Sequence, residues 1–439
     1  MNMEKLLDAI EDARERYAAA NPLSMAADKA AERHLPGGNT RTILHYEPFP
    51  LTMVAGEGAE LVDLDGHRYV DFVGEYSAGL FGHSDEIIKS AILQALVNGM
   101  LMGAPTPYER ELASILCDRF TAIEQIRFCN SGTEANILAM TTARMVTGRK
   151  KLLVFKGAYH GGVIKFPTGN SPFNIPFEFI LADYNDTDGT EELINQAGDE
   201  LAAVVVEPIL GVGGNIPGSK EFMDMLRLST RKIGALLIFD EVKTARIGPA
   251  GMQGVLGIEP DLTTLGKIIG GGLPTGAFGG KTEIMAHFNP KQQGALNHAG
   301  TFNNNVCSMA AGSAAMGKVF TPSCASEFFD FSEAFRNSLN HMFATKSVPM
   351  KCTGLGSIFA IHFSNNSIQK RVNRSDACQS LNTLLHMELL LAGVLICKRG
   401  DLFMSLPMTD SHLTKVRLAL EEFVDRYQSL MSRVLEMQL

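Results

Sequence analysis

From about residue 85 to residue 320 the chain alternates stretches of helical periodicity with short, wholly apolar runs. Residues 152–155, 203–206 and 236–239 are such runs, and 220–233 is a helical stretch between the last two. A strand that is apolar at every position is buried on both faces. Strands of that kind, separated by helices, build a largely parallel sheet covered by helices. An α/β fold is therefore expected, with the rest of the chain arranged around that sheet.

The run at 236–239 ends in Asp240-Glu241-Val242, and Glu207-Pro208 ends the run at 203–206 in the same way. Ligands of open parallel sheets sit just beyond the carboxyl ends of the strands, so the two acids point toward one crevice. Downstream lies Thr264-Leu265-Gly266-Lys267, followed by glycines 270–272. Alone, Asp240 reads equally well as a helix cap or half of a structural ion pair, and Lys267 as a solvated amine. Together, a carboxylate for a ring nitrogen and an amine for an aldehyde are what pyridoxal phosphate demands.

Asn130-Ser131-Gly132-Thr133-Glu134-Ala135 opens a helical stretch that runs to about Val146, with Gly148 placed to end it. Such a helix start offers free N–H groups and a positive dipole end to a phosphate, or is simply an N-cap that satisfies its own helix. Tyr159-His160-Gly161-Gly162 follows the run at 152–155. An aromatic residue at a strand's carboxyl edge either stacks on a flat ring or anchors its loop.

Composition excludes several classes. A hydrophobic fraction of 45% with 20% charged residues suits a globular chain, and a formal net charge of −9 argues against nucleic acid or an anionic membrane as partner. No apolar run approaches the length of a membrane span. Seven scattered cysteines without CxxC pairing argue for reduced thiols rather than a disulfide framework or zinc site, and the histidines lack metal-ligand spacing. The first twenty residues have helical periodicity through Leu6, Leu7, Ile10 and Tyr17, and their acids argue against a targeting peptide. A cytoplasmic protein without a metal is expected.

In order and spacing, Asn130–Ala135, Tyr159-His160-Gly161, Val206-Glu207-Pro208, Phe239-Asp240-Glu241-Val242, Leu265-Gly266-Lys267 and Gly300-Thr301-Phe302 resemble the class III aminotransferases, which are fold-type-I pyridoxal-phosphate enzymes. The resemblance covers about residues 30–430. It is strongest to the glutamate-1-semialdehyde aminomutase branch, and within it to the β-amino-acid (β-phenylalanine) aminotransferases. It implies that Lys267 bonds the cofactor's aldehyde and Asp240 pairs with the pyridinium nitrogen. Val242 and Tyr159 would cover the two ring faces, with Ser131, Gly132 and Thr133 at the phosphate. Thr301 would reach the neighbouring subunit's phosphate, which implies a homodimer. Arg41 and Arg399 would hold substrate carboxylates, with Tyr76 lining the same pocket.

Two arginine anchors suit a ping-pong enzyme that takes an amine from a β-amino acid and gives it to 2-oxoglutarate or another 2-oxo acid, because the two carboxylates stand at different distances from the reacting carbon. The alternative within the branch is the 2,1-aminomutase. Its usual Phe-Glu-Ala pattern is replaced here by Lys398-Arg399-Gly400, and its Tyr-His-Gly-His by Tyr159-His160-Gly161-Gly162. A catalytically silent binding relative would have lost Lys267 or Asp240, and both are present.

The expected organisation has three parts. Residues 1–60 supply an amino-terminal helix and segment to the small domain and active site. Residues 61–320 form the large cofactor-binding domain, with a hairpin turning at Asp65-Gly66 near its start. Residues 321–439 form a smaller α/β carboxyl-terminal domain, with helices at 326–343, 377–392 and 414–437 and strands at 358–363 and 402–406. Leu35-Pro36-Gly37-Gly38-Asn39 reads as a turn into an extended segment, and Ile43, Phe81 and Met404 as candidates to line the pocket.

Overall fold

The computed structural model describes residues 2–372 and 375–436. Its central sheet has seven strands: β1 (Gln125–Cys129), β2 (Lys151–Phe155), β3 (Glu178–Ala182), β4 (Leu201–Val206), β5 (Leu236–Asp240), β6 (Leu262–Gly266) and β7 (Gly276–Gly280). The spatial order is β1-β7-β6-β5-β4-β2-β3. All neighbours from β6 to β3 run parallel, and β7 alone runs antiparallel to both β6 and β1. Every residue of β4 is buried, as are four of the five in β5, because helices cover both sheet faces. Each fully buried aliphatic side chain there contributes about 1.5–3 kcal/mol, so the apolar runs fix the sheet's centre.

β7 carries no apolar signature, since its sequence is Gly-Ala-Phe-Gly-Gly. Its glycines are steric requirements: a Cβ on Gly276 would lie 2.1 Å from the Ser131 carbonyl oxygen, and one on Gly280 would lie 2.2 Å from that of Asp261. Close backbone approach, which β-propensity does not register, explains why this strand escapes a sequence reading.

A second core joins the two ends of the chain. The helix Asn2–Ala20 buries Leu6, Ile10, Ala13 and Tyr17 and packs on the helix Asp376–Leu391, where Arg16 pairs with Glu388 at 2.7 Å. Leu7, counted in the apolar face from sequence, is exposed. The expected hairpin forms between Glu60–Asp63 and Arg68–Asp71. Met53–Glu57 extends it on one side and Val394–Leu395 pairs in parallel on the other. The boundary expected at 60/61 thus falls inside a four-stranded sheet that also takes a strand from the carboxyl-terminal part.

The carboxyl-terminal helices run at Pro322–Thr345, Asp376–Leu391 and Asp410–Glu436, and Met437, the last residue of the third expected helix, lies outside the described residues. Ile358–Phe363 pairs on one side with Met350–Leu355 and on the other with Asp401–Phe403, which is shorter than the expected 402–406. The segment after Leu35 forms two short 3₁₀ turns, Pro36–Gly38 and Thr42–Leu44, rather than an extended run.

Arg246 ties the two parts together. Fully buried, it donates to Ser357 Oγ (2.9 Å), the Ser77 carbonyl (2.9 Å) and the Met404 carbonyl, and burial alone pushes its guanidinium down to about 9. Removing it leaves buried carbonyls without a donor. Arg246→Ala is expected to cost about 3 kcal/mol or more, read as a lower thermal midpoint of the purified protein.

Candidate active site

The sheet register places the chemistry. Asp240 closes β5 opposite Thr264 of β6, and Lys267 follows Thr264 by one turn of chain, so acid and amine emerge side by side at the carboxyl edge. Glu207 follows β4, the next strand, and Tyr159 and His160 follow β2 beyond it. On the other side, β7 intervenes between β6 and β1, whose end leads into the helix Gly132–Thr147.

Asp240 is buried and engaged on both carboxylate oxygens. Oδ2 accepts from His160 Nδ1 (2.7 Å) and Asn136 Nδ2 (2.9 Å), while Oδ1 accepts from the Val242 N–H (3.0 Å). Thr264 Oγ1 stands 2.7 Å from Asn136 Oδ1 and locks that amide's orientation. The bond to the carboxylate fixes a proton on His160 Nδ1. Burial opposes charge on this imidazole, yet its bond to Asp240 and the fields of Asp240 and Glu207 prevail, and its pKa is raised. Glu207 accepts from the Tyr159 N–H (2.8 Å) and the Gly211 N–H (3.2 Å), and burial pushes its carboxyl up.

Lys267 sits at φ +52°, in the left-handed region that a side-chain-bearing residue adopts at a cost of about 1–3 kcal/mol. That strain turns the chain sharply out of β6 and aims the lysine into the crevice. Burial lowers its pKa against the opposing pull of Asp240 and Glu207, which favours the neutral, nucleophilic amine.

Ser131 caps the helix Gly132–Thr147 by accepting from the Glu134 N–H (3.2 Å), and Glu134 accepts in return from the Asn130 N–H (2.9 Å). The first N–H groups of the helix, at Gly132 and Thr133, have no intrahelical acceptor and face the crevice end of the sheet. Gly132 lies so close to Val242 that a Cβ would stand 2.6 Å from its Cγ1, and Gly161 (φ +138°) would place one 2.5 Å from Thr133 Oγ1. Thr133 Oγ1 accepts from the Gly162 N–H at 3.3 Å. Tyr159 is half-exposed beside this edge.

Arg41 and Tyr76 come together at the outer side, and the charge of Arg399 reaches the same phenol. The Arg41 guanidinium lies 5.1 Å from the Tyr76 ring centre and pairs with Glu75, and Tyr76 Oη donates to the Ile43 carbonyl (3.0 Å). Burial raises the Tyr76 phenol's pKa while the charges of Arg41 and Arg399 both pull it down. Glu75, Tyr76 and Ser77 all have positive φ, an unusual run for side-chain-bearing residues. Arg399 donates Nε (3.0 Å) and Nη2 (2.7 Å) to Asp401. Ile43, Phe81 and Tyr76 line a neighbouring cavity of about 800 Å³. Met404, expected there, is instead fully buried in the core with its carbonyl on Arg246.

Thr301 stands apart. It is exposed on the loop before the helix Val306–Ala314, and among the described residues it bonds to none of the site residues of its own chain.

A class-III aminotransferase family model matches residues 44–424. The chain belongs to the class-III aminotransferases. The chain is 44% identical over 425 residues to a β-phenylalanine transaminase of Variovorax paradoxus, which covers 97% of this chain and 98% of the relative. A crystal structure of a β-phenylalanine aminotransferase from Variovorax paradoxus superposes with a TM-score of 0.95 at 44% identity, covering 97% of this chain and 99% of that one. A glutamate-1-semialdehyde 2,1-aminomutase of Syntrophomonas wolfei is 36% identical over 385 residues, 83% of this chain and 88% of the relative.

This aminotransferase is a pyridoxal-phosphate enzyme by family, and its site fits the group. The buried acid at a strand end, the neutral-leaning amine beside it, and a helix start brought against Val242 by a required glycine supply the three kinds of contact such a cofactor takes. Asn136 and Thr264, which hold Asp240, carry no sequence signal of their own, because they lie 104 and 24 residues from it. Gly161→Ala is expected to displace Thr133 and weaken cofactor binding about tenfold or more, measured by titrating apoenzyme with pyridoxal phosphate.

Proposed function

We propose that the enzyme transfers an amino group from a β-amino acid, with an aromatic β-phenylalanine-like donor, to 2-oxoglutarate or another 2-oxo acid by a ping-pong mechanism. The observation that carries this reading is the pair of guanidiniums, Arg41 stacked on Tyr76 and Arg399 held on Asp401, whose charges both reach the Tyr76 phenol. The Variovorax relatives, named for β-phenylalanine, support it.

Pyridoxal phosphate, when bound, supplies an aldehyde that takes the amine and a ring that draws electrons from the amine-bearing carbon. Asp240, held by His160 and Asn136, would meet the ring nitrogen and keep it protonated. Ser131, Gly132 and Thr133 would hold the phosphate, and Val242 and Tyr159 would cover the ring faces. The neutral Lys267 amine would then take the proton from the amine-bearing carbon and deliver it to the carbon of the cofactor's aldehyde group.

The carboxylate of a β-amino acid sits one carbon farther from its amine than that of an α-amino acid. With the reacting carbon fixed, the two carboxylates reach different walls of the pocket, and Arg41 and Arg399 provide one anchor for each. Arg41 would hold the β-amino acid's carboxylate, and Arg399 mainly that of the 2-oxo acid. An aminomutase, moving nitrogen within one molecule, needs no such second anchor.

The active unit of this reading is a homodimer. Leu93, Val97, Met100, Leu101, Met102 and Phe302 are exposed large apolar residues on the helix Glu86–Asn98, the loop after it and the Thr301 loop. Exposed apolar residues of that kind suit a partner surface, and a second copy covering them would bring Thr301 to the neighbouring phosphate. The seven free cysteines suit a reducing, cytoplasmic setting.

Anaerobic mixing of the holoenzyme with β-phenylalanine should convert the aldehyde form of the cofactor to its amine form, and 2-oxoglutarate should reverse it. Turnover of glutamate-1-semialdehyde without an acceptor would contradict the reading. Arg399→Ala is expected to weaken the 2-oxoglutarate half-reaction roughly 10- to 100-fold, read as its apparent second-order rate.

A further inference from the structure

Lys243 follows the Asp240-Glu241-Val242 motif, and nothing in the chemistry above uses it. It is partly buried, with its ammonium 4.7 Å from the centre of the Phe403 ring and 2.5 Å from Asn215 Oδ1. A Cβ built on Gly211 would lie 2.9 Å from Glu207 Oε2 and 3.1 Å from Lys243 Nζ, so the amine and that carboxylate flank one glycine. Burial lowers the lysine's pKa to about 8, with Lys267 and Arg399 pushing the same way and Asp401 and Glu207 opposing.

Asn215 is the link. It is fully buried at φ +53°, a conformation asparagine tolerates better than most residues. Its side-chain amide is used at both ends. Nδ2 donates to the Phe359 carbonyl (3.0 Å) and to Asp401 Oδ1 (3.0 Å), and Oδ1 accepts from Lys243. Asp401 Oδ2 in turn accepts both bonds from Arg399. The Phe359 carbonyl and Asp401 hold the nitrogen end of the amide and the ammonium holds its oxygen end, so the placement of the N–H on Asp401 depends on all three.

We propose that Lys243 is a positioning residue for Arg399: acting through Asn215 and Asp401, it sets the guanidinium that receives the 2-oxo acid's carboxylate, and so governs selectivity for the amino acceptor. The inference rests on the reading that Arg399 anchors the acceptor. Lys243 and Glu207, which holds the Tyr159 backbone, flank Gly211 from two sides, so the lysine stands between the acceptor anchor and the cofactor edge. Without the ammonium, Asn215 Oδ1 is left buried without its donor, the amide shifts, and its bond to Asp401, and through it the seating of Arg399, is weakened.

The test is steady-state transamination by cofactor-loaded wild type, Lys243→Met, Lys243→Gln and Arg399→Ala, varying 2-oxoglutarate and donor in turn. The methionine variant is expected to raise the ratio of the 2-oxoglutarate KM to the donor KM about tenfold, the size of one lost charged hydrogen bond. The glutamine variant, which keeps an N–H donor, should regain most of that change. A ratio that does not move in Lys243→Met, while Arg399→Ala raises it, overturns the inference and leaves the anchor reading standing. A ratio unmoved by Arg399→Ala removes the anchor reading and the inference with it. Should the methionine variant fail to load cofactor, Lys243→Arg, with its longer side chain, must shift the same ratio, and an unchanged ratio there also counts against the proposal.

Discussion

One carboxylate, that of Asp240, has to stay buried at the end of a central strand without being left unpaired, and the crevice is organised around that demand. Burying a lone carboxylate costs several kcal/mol, so the donors around it are a condition of its presence. His160, Asn136 and the Val242 N–H meet that condition from three separate segments. Each segment has a second duty. Asn136 lies on the helix whose first turn presents Gly132 and Thr133. His160 follows Tyr159, and Val242 packs on Gly132. Holding the acid therefore also fixes the helix start and the aromatic edge relative to Lys267.

The same economy joins the sheet to the carboxyl-terminal part. Arg246 and Lys243 lie in one short segment after β5, and both reach across to residues 357–404. One is spent on carbonyls and a hydroxyl and holds the two parts together. The other engages Asn215, whose amide touches the ion pair at Arg399. The large sheet and the Arg399–Asp401 ion pair thus share a boundary made of two cations, Lys243 and Arg246, without carboxylate partners of their own within 4 Å among the described residues.

What the sequence disclosed follows from what leaves a local trace. Strands β2, β4 and β5 are legible because burial on both faces requires apolar residues at every position. The helix Gly132–Thr147 is legible from its Ser131 cap and its Gly148 stop at φ +69°. Asp240 and Lys267 are legible because strand ends bind ligands. Strand β7 is not, since its glycines answer to neighbouring backbone rather than to a core. Asn136, Thr264 and Asn215 are also silent, because a hydrogen bond between residues far apart in the chain has no sequence period. Arg41 and Arg399 were singled out by the family resemblance. Their opposite settings, one half-exposed against Glu75 and the other held by Asp401, appear only in three dimensions.

The central claim is that the fully braced Asp240 carboxylate drives the chemistry while other residues bind the cofactor. Its most direct test is the single-turnover rate of the amino-donor half-reaction in Asp240→Asn holoenzyme. With Lys267 and the Ser131–Thr133 helix start intact, the variant is predicted to retain pyridoxal phosphate. The half-reaction should slow by about a hundredfold or more, the loss expected when a preorganised charge at the reacting centre is removed. A variant that keeps its cofactor and turns over at the wild-type rate would contradict the account.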